Sequence, residues 1–236
     1  MAAAFLTIVP VRLRRATPLG AAAPWLPVVG AALGAGAGAV AYVAEPALGP
    51  TVAAVLAVLV LIVLTGALHL DGLADCADAI GARGGGVERR LEVMRDSSIG
   101  TFGTLALGLW LALVIAALAG LDRGDAFDAL LIAGAVGRWS ALLHAVGSPP
   151  ARRDGLGVGF EVSAAALAIG TVAAAIAALV AGGIGPGLAA LGAGVVVAAL
   201  VTAVAHRGVG GRTGDTLGAT VVLTEAAVVV VVLGLA

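Results

Sequence analysis

Three aspartates stand at helical spacing in the stretch His69-Leu70-Asp71-Gly72-Leu73-Ala74-Asp75-Cys76-Ala77-Asp78. At i, i+4 and i+7 on a helix, Asp71, Asp75 and Asp78 fall within roughly 60° of arc on one face. Carboxylates about 6 Å apart repel by roughly 3 kcal/mol at an effective dielectric near 20, so the arrangement asks for a cation. Hard oxygen donors suit Mg²⁺, which keeps several waters and completes its shell with substrate phosphate. On a soluble helix the same cluster would read as a solvated face. Here it follows directly on an apolar run, Val52 to Leu68, in a chain with 11% charged residues. Ionisable groups at or near membrane depth are costly and point to function. His69 and Cys76 project about 160° and 140° away from Asp71 and are read as packing.

Further groups could join these carboxylates. In Met94-Arg95-Asp96-Ser97-Ser98-Ile99-Gly100-Thr101-Phe102-Gly103, Asp96 and Ser97 are good N-cap types for the apolar helix that follows. Asp96 is equally a fourth carboxylate beside an anion-binding helix N-terminus. Arg138, inside an apolar segment, needs a partner: a carboxylate within the membrane, or a phosphate gripped by its forked donors. His144 is expected to be an interfacial or core histidine. From His206 to Ala219 the chain is rich in glycine, so backbone N–H groups there could approach an anion closely, with Arg207 and Arg212 adding charge. Asp215 could cap the last helix or bind a second metal. Glu225 lies deeper in that helix and is a charge in lipid unless it faces the site.

The elements that must position these groups are transmembrane. The chain has 236 residues, is 61% hydrophobic and holds 36 glycines, with a mean hydropathy of +1.14. That composition describes a single all-α domain over residues 1–236, a polytopic helical bundle with close, glycine-mediated contacts in lipid. Seven apolar spans can be counted: 24–44, 51–70, 102–120, 126–146, 160–181, 186–205 and 219–235. The first, with Pro24 and Pro27, and the sixth are the weakest. Residues 87–95 read as a short amphipathic cytoplasmic helix, Leu91 and Met94 toward the membrane, with Glu88, Arg89, Arg90 and Glu92 solvated or paired.

All 13 basic residues are arginine. With seven spans, Arg12, Arg14, Arg15, Arg83, Arg89, Arg90, Arg95, Arg152, Arg153, Arg207 and Arg212 share one side, which predicts that side as cytoplasmic. Every polar motif then faces the cytoplasm. Chemistry confined to one face favours a membrane-embedded enzyme over a transporter, which needs a path to both sides. A cation-coupled transporter using the same carboxylates is the alternative from another class, and a purely structural membrane subunit the plainest one. The lone Cys76 excludes an internal disulfide. The net charge of −1 gives no reason to expect nucleic acid as a partner. The sequence also predicts no cleavable signal peptide, because the first arginine cluster follows the opening apolar stretch.

Three motifs together resemble the cobalamin synthase family, also called adenosylcobinamide-GDP ribazoletransferase. They are His69-Leu-Asp71-Gly72-Leu-Ala-Asp75-x-x-Asp78, Met94-Arg-Asp96-Ser97-x-Ile-Gly100-Thr-Phe-Gly103, and Gly211-x-Thr213-Gly214-Asp215-x-x-Gly218-Ala219 with Glu225. The opening Phe5-Leu6-Thr7-x-x-Pro10 fits as well. Cys76, Ala79 and Arg95 stand where the family usually has Thr, Gly and Lys. The resemblance implies a Mg²⁺-dependent inner-membrane enzyme that joins adenosylcobinamide-GDP to α-ribazole or its 5′-phosphate and releases GMP. It implies that Asp71, Asp75, Asp78 and Asp96 belong to the active site; our own reading is that they bind one or two Mg²⁺ ions bridging the diphosphate. We assign Arg83, Arg95, Arg138 and Arg212 as phosphate-binding candidates, and Ser97, Thr213, Asp215 and Glu225 as further substrate contacts. Asp71 or Asp96 could take the proton of the attacking hydroxyl. A homo-oligomer, or association with other cobalamin-assembly enzymes, is compatible with this reading. The set Asp75-x-x-Asp78, Ala82-Arg83 and Asp96 also partly resembles the CDP-alcohol phosphotransferase signature. There the expected glycines at 79 and 92 are Ala and Glu, and the final aspartate falls on Gly100.

Overall fold

The computed structural model describes residues 1–10, 19–82 and 84–236; Arg12, Arg14, Arg15 and Arg83 lie outside the described residues. Among the described residues the chain is helical, with one isolated β-bridge. A short α1 (Ala2–Leu6) precedes a 3-10 turn at Leu19–Trp25, which leads into α2 (Leu26–Leu48). Pro24 sits in that turn and Pro27 in the first turn of α2, where a missing N–H is harmless. The prolines therefore shape the start of the first span and leave it unbroken.

Then come α3 (Pro50–Thr65), α4 (Leu68–Gly81), α5 (Gly86–Val93), α6 (Thr101–Ala119) and α7 (Arg123–Gly147). The chain closes with α8 (Leu156–Gly159), α9 (Ala164–Gly182), α10 (Ile184–Val209) and α11 (Gly214–Leu233). Six stretches are long and apolar enough to cross a membrane: Gly20–Leu48, α6, α7, α9, α10 and α11. A seventh is formed if α3 and α4, bent by 91°, are taken together. The protein is thus an all-α, multi-pass bundle. Large apolar side chains such as Leu109, Val180 and Leu200 point outward at 71%, 81% and 61% exposure, as a lipid-facing surface requires.

Buried along nearly its whole length, α7 packs against α2, α9, α10 and α11. Its contact with α2 runs through glycines spaced by four. A Cβ added to Gly30 would stand 2.1 Å from the Gly134 carbonyl oxygen, and one on Gly34 would stand 2.0 Å from that of Leu130. Small residues at this spacing let two backbones approach where lipid supplies no hydrophobic drive. Gly34→Val is expected to push α2 off α7 and destabilise the bundle by about 1–3 kcal/mol. An unchanged thermal midpoint in detergent would refute that contact. Cross-helix hydrogen bonds complete the core: Trp110 Nε1 donates to Val222 O at 2.7 Å, and Thr224 Oγ1 donates to Ser140 Oγ at 2.9 Å.

One expected span is corrected. The apolar segment 51–70 does not run on as a helix through the aspartates: α3 ends at Thr65. Gly66 and Ala67 are both left-handed, at φ 60° and 58°. Ala67 lacks glycine's freedom there, at a cost of about 1–2 kcal/mol. Its N–H returns to Ile62 O at 3.0 Å, and the Ile8 N–H closes on Leu64 O at 2.9 Å. The turn thus satisfies carbonyls at the end of α3 and starts α4 in a new direction. His69 and Leu70 belong to α4, so all three aspartates remain on one helix.

Candidate active site

Helix α4 reaches its position by glycine contacts with α11. A Cβ on Gly72 would lie 2.6 Å from the Asp215 backbone oxygen, and one on Gly218 would lie 3.2 Å from the Cα of His69. This close approach brings Asp71 and Asp75 beside Asp215, the acidic residue in the first turn of α11. Asp71 is exposed, while Asp75 and Asp215 are half-buried. Asp75 feels the charges of Asp71, Asp215 and Asp78, opposed among the described residues by Arg152.

Asp78 faces a different neighbour. Its Oδ2 accepts the Gly100 N–H at 2.7 Å and its Oδ1 accepts the Gly103 N–H at 2.9 Å. A Cβ on either glycine would come within 2.4 Å of an Asp78 oxygen. The glycines of the second motif therefore leave room for a carboxylate that caps α6 from another helix. The N-cap residue itself is Gly100, with no side-chain cap of its own, so neither Asp96 nor Ser97 fills the capping role expected for them. Asp78→Ala is expected to cost about 1 kcal/mol, seen as a lower thermal midpoint. An unshifted midpoint would show that α6 needs no such cap.

Asp96 and Ser97 lie exposed on the loop before α6. Asp96 Oδ1 accepts from Ser98 Oγ at 2.7 Å and from Ser98 N–H at 2.9 Å. These bonds hold its carboxyl below the usual carboxylate range, so it is ionised at neutral pH.

The arginines divide in the same way. Arg95 donates through Nη2 to both oxygens of Asp154 at 3.1 Å, on the surface. Arg138 is buried and pairs with Glu225 across α7 and α11, which resolves its need for a partner in favour of a membrane carboxylate. Arg212 spends its donors on backbone carbonyls: Nε on Gly157 at 3.0 Å, Nη1 on Ala145 at 2.9 Å and on Ser148, and Nη2 on Phe160 at 3.3 Å. It ties the end of α7 to the segment around α8, and burial lowers its pKa. Arg152 enters the acidic cluster unforeseen. It approaches Asp215 at 3.8 Å and Leu91 O at 3.4 Å, and its buried Nε has no partner. Its only local signal was its place beside Arg153 after the fourth span.

The glycine-rich segment contracts to residues 210–213, because α10 runs on to Val209 and α11 begins at Gly214. Arg212 N–H donates to Pro149 O at 2.8 Å and Ala151 N–H to Arg212 O at 2.9 Å, so its backbone closes a bridge rather than an open cradle. Thr213, not Asp215, caps α11, in a capping box with Thr216. Thr213 Oγ1 also donates to Asp215 Oδ2 at 3.2 Å. His144 is a core residue, bonded to Thr202 at 2.8 Å and Thr216 at 3.0 Å. Cys76 is buried among apolar neighbours, as its direction on the helix predicted.

Among the described residues no group of three or more His, Cys, Asp or Glu side chains converges closely enough to hold a metal ion by itself. With Asp78 turned to α6 and Asp96 to Ser98, the remaining acidic set is Asp71, Asp75 and Asp215. Among the described residues these hard oxygens outnumber the one cation, Arg152, beside them. Such a set suits Mg²⁺, which takes one or two carboxylates and fills its shell with phosphate oxygens and water.

A multi-pass helical membrane protein with an acidic site at one end of its bundle is the class that fold and geometry define. The chain belongs to the cobalamin-5-phosphate synthase family, whose sequence model matches residues 1–233. Its relatives include adenosylcobinamide-GDP ribazoletransferase of Azorhizobium caulinodans, 40% identical over 86% of this chain and 80% of the relative. The proteins of that name from Geotalea daltonii and Desulforamulus reducens are 38% and 37% identical, covering 94% and 99% of this chain and 90% and 94% of their own lengths. The chain is accordingly a transferase of cobalamin assembly. No solved structure matches it.

Proposed function

We propose that the chain transfers the adenosylcobinamide phosphate group of adenosylcobinamide-GDP to α-ribazole or its 5′-phosphate, releasing GMP. The observation that carries this reading is the meeting of Asp71 and Asp75 on α4 with Asp215 on α11, with Arg152 beside them. The names and coverage of the relatives support this choice of substrates. In the reaction a ribose hydroxyl oxygen bonds to the phosphorus that carries the corrinoid side chain. The bond from that phosphorus to the GMP oxygen breaks, and the hydroxyl proton passes to a carboxylate. Asp71, the exposed member of the set, accepts that proton. Asp75 and Asp215 would hold Mg²⁺, which when bound neutralises charge on the diphosphate. The free Nε of Arg152 is a donor for a phosphate oxygen.

The arginines at the acidic end support a reading in which that end faces the cytoplasm, with the chain in the cell inner membrane. GMP release from adenosylcobinamide-GDP, measured in membranes with α-ribazole and Mg²⁺, tests the reaction. Release that needs both the acceptor and Mg²⁺ is expected. Its absence, with CMP released from a CDP-lipid instead, would reassign the chain to alcohol phosphotransfer.

A further inference from the structure

Between α1, α4, α7 and α11 lies a cavity of about 90 Å³, lined at one side by Asp71 and Asp215. Most of its wall is apolar, including Phe5, Leu6, Phe160 and Val221. Two buried polar side chains, His69 and Arg138, also line it. Arg138 is 2% exposed. Its Nη1 serves Glu225 and the Gly134 carbonyl, yet its buried Nε has no partner. A buried N–H without an acceptor is costly enough that nearly all are satisfied by protein, water or ligand. From Arg138 to the end of α7 at Gly147 is about 14 Å at the helical rise, so the cavity extends well into the bundle.

The space is far below the several hundred Å³ that a whole nucleotide or a corrinoid needs. It is smaller than the roughly 150 Å³ that encloses one benzene ring, so it admits the edge of an aromatic base, the rest of the ligand remaining outside. Resting on the function proposed above, we infer that this cavity receives one edge of the aromatic base of the nucleoside acceptor, with Arg138 Nε donating to its free ring nitrogen. The base of α-ribazole is a dimethylbenzimidazole. It offers methyls and a fused ring to apolar walls, and one unsubstituted nitrogen as an acceptor. Guanine, the other flat base in the reaction, carries donors and acceptors around its edge that Leu, Phe and Val would leave unpaired. With the base so placed, the ribose lies toward Asp71 and Asp215.

Two measurements decide this. Equilibrium dialysis on detergent-purified protein compares α-ribazole with its indole counterpart, in which the acceptor nitrogen is a C–H. The indole nucleoside is expected to bind about 10-fold more weakly, or worse. Kinetics of Ala141→Leu, which adds bulk to the cavity wall, should raise the KM for the acceptor by a similar factor and leave the KM for adenosylcobinamide-GDP unchanged. Equal binding of the two nucleosides, or an unchanged acceptor KM in Ala141→Leu, overturns the inference while wild-type GMP release upholds the reaction. If the variant fails to fold, the nucleoside pair on the wild type still decides. Wild-type protein that releases no GMP with any acceptor overturns the reaction itself, and dialysis then tests the cavity alone.

Discussion

Asp75→Asn is expected to lower GMP release by about 10²- to 10³-fold, the loss typical when one preorganised charge-stabilising group is removed from a transfer site. The side chain keeps its shape, so the cost falls on charge. Asp75 is half-buried among Asp71, Asp78 and Asp215, with Arg152 the opposing cation among the described residues. Removing one negative charge there relieves repulsion in the resting protein, so stability should hold or rise while catalysis falls. The concentration of Mg²⁺ giving half-maximal release should also move upward, and Asp75→Glu should recover part of the activity. Near-normal turnover of Asp75→Asn, with an unshifted Mg²⁺ dependence, would remove the metal-binding role. The measurement is made in membranes, where the bundle is intact.

The second large effect is on stability. Glu225→Ala is expected to destabilise the protein by about 3–5 kcal/mol, because it leaves the Arg138 guanidinium buried without its counter-ion. The two side chains are 2% and 12% exposed, so bulk water is a poor replacement for the lost partner. Replacing both, as Arg138→Met with Glu225→Leu, should recover most of that loss, since a buried pair often does no better than apolar side chains of similar volume. Denaturant unfolding in detergent reads both. A single variant costing under about 1 kcal/mol would show that the pair is already hydrated or carries little of the core.

The sequence made the transmembrane layout legible because hydropathy over about twenty residues reports directly on lipid. The helix observed at Leu26–Leu48 overlaps the expected 24–44, and Thr101–Ala119 falls one residue from 102–120 at each end. The spacing of Asp71, Asp75 and Asp78 also held, because helical periodicity survives any bend upstream of it. The bend itself was hidden: Gly66 is an ordinary stop signal, but nothing marks Ala67 as left-handed. Long-range pairing was equally out of reach. That Asp78 caps α6, and that Arg138 meets Glu225, depends on how helices dock, and local spacing carries no record of it. Arg212 reads as a phosphate ligand in sequence because guanidinium recognises carbonyl and phosphate oxygens alike. Only the fold shows that carbonyls have claimed most of its donors.

The turn at Gly66–Ala67 leaves α3 with 16 residues, about 24 Å of helix against a hydrocarbon layer of about 30 Å. Thinning of the lipid around α3, a dimple in the leaflet on the acidic side, is one way to match that shortfall. Within that depression α4 can sit below the neighbouring headgroups and still meet water. On the function proposed above, the corrinoid nucleotide then reaches the aspartates from the aqueous side, without its charged diphosphate passing through acyl chains.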